Sequence, residues 1–142
     1  MREDVGAAKK MLRQTALRAR RSLSLSQRLS YSAAIGKMLL EQPFFLTARH
    51  IFAYASMEDE VRTEEILRGM LERGQKVSIP YIVGNRRMEA AALSHMENLE
   101  DGTYGIRTVK AAVRRILDPA SIDLILVPGV AFSPAGQRLG MG

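Results

Sequence analysis

The chain has no cysteine, which rules out disulfides, thiolate metal sites and a cysteine nucleophile. Histidine is nearly as scarce. His50 and His95 are its two examples, too few for most protein-built zinc sites. No apolar run approaches the roughly 18 residues of a spanning helix, and the opening MREDVGAAKK lacks the apolar stretch of a secretory signal. A soluble, cytoplasmic protein with no membrane partner is therefore expected. Acid is missing from one place in particular: residues 1–22 hold seven basic side chains against Glu3 and Asp4, a local charge of +5 within a total of +6. Such a cluster wants an anionic partner, which could be nucleic acid, a membrane surface or a phosphorylated small molecule. The same segment contains no aromatic residue, so stacking on exposed bases is unsupported, and phosphate contacts alone would be weak and salt-sensitive. A nucleic-acid partner is disfavoured on that ground.

What is present fits one ordinary domain. At 142 residues, 46% hydrophobic and 25% charged, the chain resembles neither a disordered nor a membrane class and has the length for one core. Residues 6–21 read as a helix, with Ala7, Ala8, Met11, Leu12, Ala16 and Leu17 forming an apolar stripe and the basic residues taking most of the rest. A second helix is predicted from Ser26 to Glu41, capped by Ser24, turning Leu29, Ala33, Ile35, Met38 and Leu39 inward and stopped by Pro43. HIFAYAS then reads as a strand.

A third helix has both ends marked: Thr63 can cap it, Glu64 and Glu65 suit its positive end, and Gly74 stands where a C-terminal cap belongs. KVSIPYIV, a turn at GNRR and MEAAAL read as strand, turn and strand; residues 94–106 read as loop, 109–116 as a short basic helix and DLILVP as a buried strand. Strands separated by helices imply crossovers, hence an α/β fold: three α/β/α layers around a mainly parallel sheet, in a single domain. Ligands in such sheets settle beyond the carboxyl ends of the strands, which points to the loops after Ser56 and after Val127. His50 and His95 read as ordinary rim or surface histidines, and Tyr54, Tyr81 and Tyr104 as core-packed rings with their hydroxyls at its edge.

KKMLR near the start, SMEDEVRTEEI after the first strand, and DLILVPGVAF followed by GQRLGMG at the end form a combination. In order and spacing it resembles the 5-formyltetrahydrofolate cyclo-ligase family, also called methenyltetrahydrofolate synthetase, from Lys9 to the last residue. The resemblance implies ATP-dependent closure of 5-formyltetrahydrofolate to 5,10-methenyltetrahydrofolate with release of ADP and phosphate, through a phosphorylated formyl oxygen. Mg2+ would bridge the phosphates. The implied partners are ATP and a reduced folate, and a monomer is expected.

Lys9 and Arg13 stand four apart on one helix face and match the family's ATP-binding Lys and Arg. Gly136, Arg138, Leu139, Gly140, Met141 and Gly142 match its second ATP loop, in which glycine lets the backbone approach phosphate. Met57, Glu60 and Arg62 match substrate-binding positions, although Arg62 and Ser133 both stand where the family carries an acid, and YGIRTV departs from the family's pattern. No catalytic residue and no metal ligand is assigned, because the family's magnesium ligands are expected beyond Gly142 in a chain read as C-terminally incomplete. A second reading stays open: a divergent, catalytically silent nucleotide-binding module of the same fold.

Overall fold

The computed structural model describes residues 4–141. Helix α1 (Val5–Arg21) starts where the Asp4 carboxylate accepts from the Ala7 N–H. Helix α2 (Leu25–Leu40) starts at a reciprocal cap, in which Ser24 Oγ accepts from Gln27 N–H and Gln27 Oε1 accepts from Ser24 N–H. These side chains satisfy donors that the first helical turn cannot. Pro43 does more than stop α2: it opens the short helix α3 (Pro43–Thr47), where its missing N–H costs nothing. Helix α4 (Glu64–Glu72) ends with Gly74 at φ +75°, its N–H on Leu71 O and the Gln75 N–H on Met70 O, a closure that needs a left-handed residue.

Strands β1 (His50–Phe52), β2 (Lys76–Gly84) and β3 (Arg87–Leu93) come first in the chain, then β4 (Leu99–Asp101), β5 (Arg107–Val109), β6 (Ile116–Leu117), β7 (Leu124–Ile125), β8 (Ala131–Phe132) and β9 (Arg138–Leu139). The central sheet has the order β6-β3-β2-β1-β7, while β4–β5 and β8–β9 form separate hairpins. Ile51 of β1 pairs in parallel with Val77 on one side and Leu124 on the other. The tight β2–β3 turn makes β3 antiparallel to its neighbours, so β6, β2, β1 and β7 run one way and β3 alone runs back. The sheet is thus mainly parallel.

Val77, Ser78 and Ile79 are consecutive in β2 and point alternately to its two faces, yet all three are buried. Both faces of the central strands are therefore covered. Leu67 and Met70 of α4 are buried where that helix packs on β2, and β5 packs along β2 and β3. Phe45, Ile51, Val77, Ile79 and Val109 complete the core, closed over by Leu39, Met96 and Leu99.

Several expectations need correction. HIFAYAS and DLILVP are shorter as strands than their β-propensity suggests, although Ala53 N–H still reaches Ser78 O and Leu126 N–H reaches Phe52 O. Residues 109–116 are not a helix: Val109 ends β5, one 3-10 turn spans Ala111–Val113, and β6 begins at Ile116. Sheet pairing takes both ends of the segment, Val109 with Leu99 and Ile116 with Ala91, and Arg114 folds back between them, donating to Val109 O with its guanidinium 3.8 Å from the Tyr81 ring centre.

The apolar stripes of the first two helices do not enter the core. Met11, Leu12, Leu29, Ala33, Ile35 and Met38 are exposed, and α1 buries no residue completely. Periodicity identifies a face but not what lies against it. His50 is no rim residue but is buried at 2% exposure, whereas Tyr104 is 78% exposed at φ +60° and does not pack on the core.

Candidate functional site

Because β1 and β7 are parallel neighbours, the chain leaves both at the same edge of the sheet. Two loops therefore stand side by side, residues 53–63 after β1 and residues 126–137 after β7.

The first loop is closed at its base by a buried clasp. Ser56 N–H donates to Thr63 Oγ1, Thr63 N–H donates to Ser56 Oγ, and the Thr63 hydroxyl donates to Tyr54 O. Thr63 occupies the N-cap of α4 as expected, but its side chain serves this clasp and makes no helix cap. At the tip, Glu60 Oε1 accepts from Met57 N–H at 2.8 Å and Glu60 N–H donates to Met57 O, so both residues sit in one tight turn. Arg107, which the sequence did not single out, braces the clasp: its Nη2 donates to Ser56 O and to Glu64 Oε1, each at 3.1 Å. Burial pushes the Tyr54 phenol up to about 12, with Glu60 adding to the shift and Arg20 opposing it. Tyr54 is thus a neutral donor, reaching Val61 O at 3.3 Å.

Arg62 is placed differently. Its N–H donates to the buried Ser32 hydroxyl, and its side chain lines a groove of about 450 Å3 between α2, α3 and α4, along with Leu29, Leu40 and Phe45. Met57 and Glu60 do not line that groove.

The second loop, read from the sequence only as a glycine-rich loop, is a hairpin. Val130 N–H donates to Leu139 O and Ser133 exchanges hydrogen bonds with Gln137, the Gln137 N–H reaching Ser133 Oγ. Gly136 has φ +85° and donates to Ser133 O, the bulged turn that follows Pro134 naturally. Ser133 thereby does a turn-forming job that an Asp could also do. Arg138 Nη1 donates to Pro128 O at 2.8 Å, and a Cβ on Gly140 would lie 2.8 Å from that same nitrogen. A side chain at position 140 would therefore have to displace the tip of Arg138 from its Pro128 contact. Leu139 is half-buried and Met141 exposed, while Gly142 lies outside the described residues.

Helix α1 joins the two loops. Arg13 Nε donates to Gly140 O at 2.7 Å, and two turns later Arg20 Nη2 and Arg21 Nε reach Asp59 Oδ2 at 3.2 and 3.3 Å. Lys9, one turn before Arg13 on the same face, is exposed. Burial acts to raise the Asp59 carboxyl, but Arg20 and Arg21 outweigh it and hold it below its ordinary value. Part of the basic charge of α1 therefore has an intramolecular partner, which a charge count could not show. Among the described residues no group of three or more His, Asp or Glu side chains could hold a metal ion. Such a cluster is not what magnesium ordinarily needs, because one or two carboxylates hold it together with substrate phosphates.

A family model described as the 5-formyltetrahydrofolate cyclo-ligase family matches residues 5–142. A Caenorhabditis elegans protein named as a probable 5-formyltetrahydrofolate cyclo-ligase is 32% identical over 115 residues, 77% of this chain and 56% of its own length. A mitochondrial 5-formyltetrahydrofolate cyclo-ligase from Arabidopsis thaliana is 30% identical, covering 94% of this chain and 54% of its own length. The chain thus spans little more than half the length of these curated relatives, one of which is named as mitochondrial. The solved structure of Aquifex aeolicus 5,10-methenyltetrahydrofolate synthetase superposes with a TM-score of 0.82 at 28% identity, covering 94% of this chain and 67% of that one. The motif order, the fold and these similarities agree, and the chain belongs to the 5-formyltetrahydrofolate cyclo-ligase family.

Proposed function

We propose that the chain carries the nucleotide side and part of the folate side of an ATP-dependent ring closure, converting 5-formyltetrahydrofolate to 5,10-methenyltetrahydrofolate with release of ADP and phosphate. The observation that carries this reading is the Arg13–Gly140 hydrogen bond, which seats a basic helix face on a glycine turn at the carboxyl edge of the sheet. Cations and close-approaching backbone are the chemistry a polyphosphate needs.

In this reading Lys9, Arg13 and Arg138, with the backbone at Gly136, Leu139, Gly140, Met141 and Gly142, hold the triphosphate. Met57 and Glu60 face the folate, Met57 offering a polarisable thioether to a flat ring. Arg62 contributes through its backbone, held by Ser32, because its side chain turns to the groove. The formyl oxygen takes the γ-phosphoryl group as ADP departs, and attack by the second ring-closing nitrogen expels phosphate. The described side chains supply positioning and charge neutralisation rather than a covalent partner.

Calorimetry with ATP and with 5-formyltetrahydrofolate, together with the absorbance of the methenyl product, tests the proposal. Binding of both ligands with product formation supports it. The second reading, a silent nucleotide-binding module, is favoured by the turn of Arg62 away from Met57 and Glu60, and it is the outcome if ATP binds while folate neither binds nor reacts.

A further inference from the structure

Helix α1 is anchored in an unusual way. No residue of it is completely buried, although Ala16 and Leu17 are half-buried, and polar contacts at two points tie one face of it to the rest of the fold. Arg13 and Arg20 are seven residues apart, which returns the helix to nearly the same angle about 10 Å further along. The first contact is with the glycine turn and the second with Asp59, at the tip of the loop that also carries Met57 and Glu60.

The second contact is unfinished. Arg20 and Asp59 are both largely withdrawn from water, with side chains 19% and 24% exposed. One guanidinium nitrogen, Nη2, meets Oδ2, whereas Arg20 Nε is buried and has no partner among the described residues. A buried donor left unmet is costly. An arginine and a carboxylate have a better arrangement available, with two parallel hydrogen bonds. A small shift of α1 along the 57–60 turn would bring this second nitrogen to the carboxylate and convert one contact into two.

We propose that Arg20 and Asp59 are a positioning pair that transmits occupancy of the nucleotide turn, through α1, to the loop bearing Met57 and Glu60. Nucleotide drawn onto Lys9 and Arg13 moves the weakly packed helix, the Arg20–Asp59 pair closes to its two-bond form, and Met57 and Glu60 take their substrate-ready position. Neither residue touches a reacting atom. Arg21 supports the same carboxylate oxygen from the next position.

This inference rests on the cyclo-ligase reading above, and its test separates the two. Folate affinity is measured by calorimetry with and without a saturating non-hydrolysable ATP analogue, in the parent protein, in Asp59→Asn and in Arg20→Lys. The parent is expected to bind 5-formyltetrahydrofolate about tenfold more tightly with nucleotide present, a coupling within the usual allosteric range. Both variants are expected to keep analogue affinity within about twofold and to lose most of that coupling. Their melting temperatures identify any variant that fails to fold, and Arg20→Lys, which keeps the charge but not the fork, then carries the test. Coupling that persists in a folded variant overturns the inference, as does a parent that binds both ligands without coupling, and in these cases the cyclo-ligase reading survives. A parent that binds neither ligand overturns both.

Discussion

Among single residues, Arg13 and Lys9 separate two kinds of basic side chain. Arg13 is half-buried and already committed to Gly140 O, whereas Lys9 is exposed. Replacing either with Ala is expected to weaken ATP binding by about 1–3 kcal/mol, since each removes a charge-assisted contact to phosphate. Calorimetry checks this, and the Arg13 change should also lower the melting temperature because it frees the turn. Arg62 makes the opposite case. Arg62 is half-buried and lines the α2–α4 groove, which Met57 and Glu60 do not, so Arg62→Glu is expected to leave folate affinity within about twofold, as changes at separate sites usually do. A marked gain in affinity would place the side chain in the site after all. Sequence alone shows that a residue stands at a motif position; that its backbone N–H is held by Ser32, thirty residues earlier in the chain, comes only from the fold.

At the level of elements, α4 and α1 look alike as amphipathic patterns but differ in what they bury. Leu67 of α4 is fully buried against the sheet, and Leu67→Ala is expected to cost about 2–5 kcal/mol in urea unfolding. Leu12 of α1 is exposed, and the same change there should stay within about 0.5 kcal/mol. Helices α1, α2 and α4 were legible from their apolar periodicity, with Ser24 and Gly74 marking ends because each satisfies donors or carbonyls within a few residues, whereas α3 was not, since Pro43 read only as a stop. The β8–β9 hairpin and the β5–β6 segment were not. Their strands are two or three residues long, too short for a period to be read, and β6 in addition exists only through its distant partner β3. The rim position of both loops was legible, because it follows from parallel pairing; the Arg20–Asp59 and Arg107–Glu64 pairs were not, since each joins residues about forty positions apart.

For the whole molecule, acid should act in two stages. His50 Nε2 meets Ser78 Oγ at 2.6 Å, and its Nδ1 meets Ser121 Oγ, whose hydroxyl donates to Asp118 O. Nδ1 therefore carries the proton and Ser78 donates to Nε2, an arrangement that suits neutral imidazole. Burial pulls His50 below its ordinary 6.5, with Lys76 adding to the effect and Asp123 opposing it. Below pH 6.5 the unfolded chain gains a proton that the native state refuses, so stability is complete above that value and declines beneath it. The melting temperature should fall first in this window, and His50→Gln should flatten that part of the curve. A second fall belongs below about 3.8, where Asp123, held low by the Arg49 and His50 N–H groups, and Asp59 become protonated.

The pairing of β1 with β7 has a further consequence for how the protein is made. Ile51 and Phe52 leave the ribosome long before Leu124 and Ile125, their partners on one side, and the β2–β3 hairpin can form from neighbouring sequence in the meantime. Until the later segment arrives, one margin of β1 offers unpaired amides to any extended peptide nearby. The two rim loops therefore come together only once β7 has been made, and until then the open margin of β1 is where a nascent chain gains most from chaperone protection.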